Sequence, residues 1–183
     1  MKKKLKIVIL CARYEGLSPS LEELTTIIYN NWLSLESPFI GIEKCAIGPT
    51  PSPGDFQLLS NADLIVSIES NLVLPDVLPA LRSGGCPSPS MIFYSFGHAQ
   101  NSFYSFKKII PYLNSHDLFI CASRAEARAF GLYYQNLQTI VLPFPVENWI
   151  SRRHRPSSRT QKHLPLVYAG RIAREKNLHT FLR

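Results

Sequence analysis

MKKKLKIVILCARYEG, residues Met1–Gly16, is the stretch on which the fold turns. A basic start followed by an apolar run has the outline of a secretion signal. Here the run is short (Leu5–Cys11), rich in β-branched residues, and followed at once by Arg13 and Glu15. A cleavable leader ends in small residues, not in a charged turn. The stretch therefore reads as a first β-strand in a cytosolic protein. It is apolar at consecutive positions, as a strand buried on both faces should be.

Runs of the same kind recur along the chain at Phe39–Ile47, Leu64–Ile68, Met91–Phe96, Leu118–Ala122, Thr139–Leu142 and Leu166–Ala169. Helical stretches alternate with them. In SPSLEELTTIIYNNW, Ser18 can cap and Pro19 suits the first helical position, while Ser20 and Glu23 have the spacing of a capping box. Leu21, Leu24, Ile28 and Trp32 then repeat along one helical face. Further helices are expected over Pro75–Arg82, part of Ser102–Leu113, and Arg124–Tyr133. Strands separated by helices predict an α/β fold, with a Rossmann-like parallel sheet, right-handed crossovers and helices on its faces.

The chain has 183 residues, 45% hydrophobic and 18% charged, which is a globular composition. No apolar run approaches the roughly 20 residues that span a bilayer. Cys11, Cys45, Cys86 and Cys121 are scattered, without a CxxC or a Cys/His cluster of metal-ligand spacing. Cys11 and Cys121 fall in apolar runs and read as reduced core thiols. A net charge of +7 favours an anionic partner: nucleic acid, a nucleotide diphosphate or a membrane surface.

Open α/β sheets bind ligands beyond the carboxyl ends of their strands, so the residues that follow each run carry the chemistry. These are Arg13, Glu15 and Gly16 after the first run, and Glu69-Ser70-Asn71 after the third. Phe96-Gly97-His98 follow the fourth, Ser123-Arg124-Ala125-Glu126 the fifth, and Pro143–Glu147 the sixth. GxGxxG, GxxxxGK[ST], GxSxG and HExxH are all absent. His98 reads either as a sugar contact or acid/base, or as a structural histidine. Gly16 reads as a point of close ligand approach or as a plain turn.

The final stretch, LVYAGRIAREKNLHTFLR, leaves a strand through Gly170-Arg171 and meets Lys176 at the start of a helical pattern. An arginine fork, a lysine point charge and unpaired helix N–H groups together suit a diphosphate. A solvated basic turn is the alternative. Between the two parts, residues 147–164 (ENWISRRHRPSSRTQKHL) are basic and lack an apolar period, which reads as a linker or exposed loop.

VYAGRIAREKNL (Val167–Leu178) resembles the strand-Gly-Arg-x-x-x-x-Glu-Lys-Gly segment of GT-B glycosyltransferases, family 4 in particular. The resemblance implies that Arg171 and Lys176 bind the diphosphate of a nucleotide-sugar donor. MIFYSFGHAQ is similar to the family segment whose histidine reaches the sugar, which makes His98 the catalytic candidate. HDLFICASRAEARAF resembles the aspartate-strand-serine segment, giving Asp117 and Ser123. LPFPVENW stands where the family crosses into its second domain. Asn177 departs from the family's Gly, Phe144–Glu147 from its Asn-Gly-Val-Asp, and Gly16 stands alone where many members have a pair.

The resemblance implies an acceptor-binding domain over residues 1–146, the basic linker over 147–164, and the first strand-helix unit of a donor domain over 165–183. On this reading the chain is an N-terminal fragment, inactive alone, of a retaining enzyme of polysaccharide or glycolipid assembly. Arg13, Gly16, Glu69, Gly97, Ser123 and Glu126 would line the acceptor cleft. The nucleotide-sugar is a substrate, and no cofactor or metal is expected. Partners would be that donor and a glycan or lipid-linked acceptor. Phe103, Tyr104, Phe106 and Ile109 beside Lys107 and Lys108 add a peripheral membrane contact as one reading, with core-facing aromatics as the other. A non-catalytic nucleic-acid-binding module, using Arg152, Arg153 and Arg155, is the alternative function, and a stand-alone nucleotide-binding domain is a third.

Overall fold

The computed structural model describes residues 3–12, 19–48, 50–68, 74–83, 88–95, 107–134 and 137–143. Chain contacts divide the molecule into Met1–Val146 and Glu147–Arg183, and everything described belongs to the first unit.

Among the described residues six strands form one all-parallel sheet: β1 (Leu5–Ala12), β2 (Ile40–Ile47), β3 (Leu64–Ile68), β4 (Ser90–Ser95), β5 (Leu118–Cys121) and β6 (Gln138–Val141). Their order across the sheet is β2-β1-β3-β4-β5-β6. The described helices are α1 (Pro19–Leu33), α2 (Pro53–Ser60), α3 (Leu74–Ser83) and α4 (Arg124–Tyr133). A short 3-10 turn, Ile110–Tyr112, precedes β5. This is the α/β, Rossmann-like architecture that the alternating runs predict.

The consecutive apolar residues of β1 serve two cores because successive strand side chains point to opposite faces. Val8 and Leu10 join Ile47, Leu59, Ile65, Val77, Phe93, Phe119 and Phe130 on the side of α2, α3 and α4. Ile7, Ile9 and Cys11 join Ile42, Val66, Ile68 and Ile28 of α1 on the other side. Leu24 and Trp32 of α1 pack against that second cluster, as their helical spacing predicts. The Trp32 indole N–H donates to the Tyr94 hydroxyl at 3.2 Å. Phe119 stacks on Phe93 with ring centres 4.7 Å apart. Cys11, Cys45 and Cys121 are buried, and Cys86 lies outside the described residues.

The structure corrects one expectation and adds detail to others. α1 begins at Pro19, so Ser20 is already inside the helix and cannot be the cap of a Ser20–Glu23 box. α2 is an additional helix that the Pro-rich stretch around it conceals. Ser52 caps it, and Asp55 completes a capping box by accepting the Ser52 backbone N–H. β6 is apolar in part, yet all four of its residues are exposed; among the described strands it is an edge, paired with β5. Of the two readings of the segment around Lys107 and Lys108, Ile109, buried in the core at 1% exposure, agrees with the core-facing one. Lys107 and Lys108 are exposed, whereas Phe103, Tyr104 and Phe106 lie outside the described residues.

Two aspartates fasten the amino ends of the strands. Asp63 precedes β3 and accepts the Lys6 N–H of β1 at 2.8 Å and the Lys3 ammonium at 2.7 Å. Asp117 precedes β5 and accepts the Met91 N–H of β4 at 2.9 Å, the Asn114 N–H at 2.7 Å, and the Arg82 Nη2 at 3.0 and 3.1 Å.

Candidate functional site

The strand order reverses direction at β1. The connection through α1 leads to β2 on one side, and the next crossover returns past β1 to β3 on the other. In a parallel sheet such a switch point opens a crevice at the carboxyl ends of the two strands, because their helices lie on opposite faces. At this switch point β1 ends at Ala12 and β3 at Ile68, and Ile68 pairs with Cys11. Arg13 and Glu69 follow these two residues directly in the sequence. Of the residues the sequence singles out, Arg13, Gly16, Glu69, Gly97, His98, Arg171 and Lys176 lie outside the described residues. So do residues 147–164, including Arg152, Arg153 and Arg155.

Ser123, Glu126 and Asp117 are described. Ser123 is the N-cap of α4, its hydroxyl accepting the Glu126 N–H at 3.2 Å. Glu126 stands in the first turn of α4 at 6% exposure. Its Oε2 accepts the Ala122 N–H at 2.8 Å, and its Oε1 accepts the Ser95 hydroxyl at 2.5 Å. A carboxylate in the first helical turn is also favoured by the N–H groups and dipole there. Ser123 and Glu126 thus come together at the carboxyl edge, with Glu126 buried and its oxygens engaged by the protein. Asp117 lies at the opposite, amino edge, next to the starts of β4 and β5. Its partners make it a structural fastening there.

Ser95 is the residue that sequence reading passed over. It ends β4, is 2% exposed, and shares the sheet face of Phe93. It hides inside the apolar run MIFYSF, and the only signal was a hydroxyl residue three positions before His98. Beside it in the sheet, Cys121 pairs in register with Ser95. Burial, reinforced by the Glu126 charge, pushes the Cys121 thiol up to about 12. A thiol held neutral in this way is no nucleophile near neutral pH. The Tyr94 hydroxyl is also raised, by burial first, with the Trp32 hydrogen bond opposing.

Among the described residues no group of three or more His, Cys, Asp or Glu side chains could hold a metal ion. Nor is any described helix long and apolar enough to cross a membrane. The fold defines a class, an α/β protein with a Rossmann-like, all-parallel sheet flanked by helices. Comparison with protein-family models, with curated proteins and with solved structures returns no match to this chain.

Proposed function

We propose that this chain forms the acceptor side of a nucleotide-sugar-dependent glycosyltransferase of the GT-B type, together with the segment that opens its donor side. The observation that carries the reading is VYAGRIAREK, a strand-like run leading into Gly170-Arg171 and Glu175-Lys176, in a chain whose first unit is a doubly wound parallel sheet. Arg171 supplies a planar donor fork and Lys176 a mobile charge to the donor diphosphate, which becomes the leaving group. Stabilising charge that grows on those oxygens as the sugar departs is what would accelerate the reaction. His98 is the sugar-facing polar residue, and Arg13, Gly16, Glu69 and Gly97 belong to the acceptor crevice. The acceptor class is a glycan or a lipid-linked sugar.

The test is sugar transfer by the native gene product from a panel of nucleoside-diphosphate sugars. The reading expects turnover with one donor class and a loss of roughly 100-fold or more in Arg171→Ala, the scale seen when one transition-state charge partner is removed. A product that binds no nucleotide-sugar, but binds nucleic acid with steep salt dependence through Arg152, Arg153 and Arg155, would replace it with the basic-module reading.

A further inference from the structure

We infer that the outer face of α4 docks a helix of an acidic partner protein. The inner face of α4 is taken by the core: Glu126 and Phe130 are buried, and Ala127 packs beside them. At about 100° per residue the opposite face carries Arg124, Ala125, Arg128, Gly131 and Leu132, and all five are exposed. Leu132, at 83%, is the most exposed large apolar side chain among the described residues. Arg124, Arg128 and Leu132 stand at i, i+4 and i+8, and so form one ridge about 12 Å long.

Two observations say what covers this face. Gly131 lies inside the helix, and the chain leaves it through Tyr134 in an extended conformation, so the glycine is no helix terminator. A Cβ added to Gly131 would meet nothing within 4 Å. Glycine weakens a helix relative to alanine, and no neighbour in this chain requires it here. Its use is to let another backbone come close, as in helix-on-helix packing. The second observation is charge. α4 and β6, which pack together, carry two arginines and one acid, and that acid, Glu126, is buried. Two copies of this face would set arginine against arginine. A nucleic acid would take the arginines but gain nothing from Leu132, and a lipid surface gains little from one leucine. A helix with Asp or Glu opposite Arg124 and Arg128, and an apolar residue opposite Leu132, matches the whole ridge.

The inference does not depend on the proposed function. Its test places the photo-crosslinking residue p-benzoylphenylalanine at position 132 of the native gene product in its host cells, and identifies the attached peptide by mass spectrometry. The expected product is a second protein joined through a helical segment rich in Asp or Glu. That protein is then purified and its binding to the gene product titrated. Arg124→Glu with Arg128→Glu should weaken binding at least about tenfold, with the wild-type affinity falling as salt rises. Gly131→Ala is the sharper variant. It should raise the urea midpoint of the gene product, because alanine favours the helix, and yet weaken binding by about tenfold, because a Cβ now stands in the contact. Crosslinks confined to a second copy of this chain, to another part of the same gene product, to lipid or to nucleic acid overturn the inference. So does the absence of any crosslink, or a partner whose affinity ignores these variants.

Discussion

The amino edge of the sheet uses one device twice. In ADLIV (Ala62–Val66) and HDLFI (His116–Ile120) an aspartate stands one residue before a strand. In both, its carboxylate accepts the N–H of the second residue of a neighbouring strand, Lys6 of β1 or Met91 of β4. The surroundings differ. Asp63 keeps 27% of its side chain exposed and pairs with Lys3, itself 83% exposed. Asp117 is 2% exposed and pairs with Arg82 at 7%. Hydrogen bonds from Lys3 and Lys6 hold the Asp63 carboxyl below its ordinary value. Burial raises the Asp117 carboxyl above it, and the Asn114, Arg82 and Met91 contacts pull it back without reversing the sign. Identical local chemistry thus has opposite acid–base consequences, decided by water and not by the fastening itself.

The comparison breaks first at Asp117. Asp117→Ala leaves the Arg82 guanidinium buried without a counter-charge and the Met91 N–H without its acceptor. Losing one partner of a buried pair costs about 3–5 kcal/mol. Urea unfolding followed by circular dichroism should show that loss as a lower midpoint with an unchanged slope. Arg82 already has its Nε and Nη1 buried without partners, so the pair is an expensive one. Replacing both members, Asp117→Leu with Arg82→Met, should therefore cost less than Asp117→Ala alone. A double variant less stable than the single would show that the pair contributes net attraction.

Asp63→Ala comes next, at about 1 kcal/mol, because the Lys6 N–H loses its acceptor at a site that water can reach. The pH dependences of the two sites should run in opposite directions. The lowered Asp63 stabilises the fold above the ordinary value of 3.8, and that contribution fades as pH falls through its folded-state value. The raised Asp117 binds its proton more readily when folded. Its contribution is fullest below 3.8 and is lost as pH rises through the higher folded-state value. Stability measured between about pH 2.5 and 6 should therefore show the penalty of Asp63→Asn shrinking on acidification and that of Asp117→Asn growing. Penalties that move together would refute the contrast.

How much of this could be read from the sequence follows from the range of each interaction. β3 over Leu64–Ile68 and α4 over Arg124–Tyr133 were legible to the residue, because periodicity and caps are local signals. α2 lies in a stretch dense in Pro49, Pro51, Pro53 and Gly54, residues that favour turns, although Ser52 and Asp55 carry the capping-box spacing. Strand order is set by pairings that no local pattern encodes. Asp63 and Lys6 are 57 residues apart, and Asp117 and Arg82 are 35. At the carboxyl edge of the sheet the split is similar. Strand-end residues could be named from sequence, but Ser95 joins Glu126 across 31 residues and drew no notice.

The smallest effect sharpens the comparison most. Lys3→Ala removes the ion pair of Asp63 but leaves its Oδ2 on the Lys6 N–H. An exposed pair of this kind contributes about 0.2–1 kcal/mol, less in high salt. If the fastening, and not the ion pair, is what the two aspartates share, Lys3→Ala must cost clearly less than Asp63→Ala, and 1 M salt should erase most of its penalty. The Asp63→Ala penalty should largely survive that salt, because the Lys6 N–H still lacks its acceptor. Equal penalties for the two variants would mean that the exposed site is held by charge alone. The resemblance between Asp63 and Asp117 would then be one of sequence and not of mechanism.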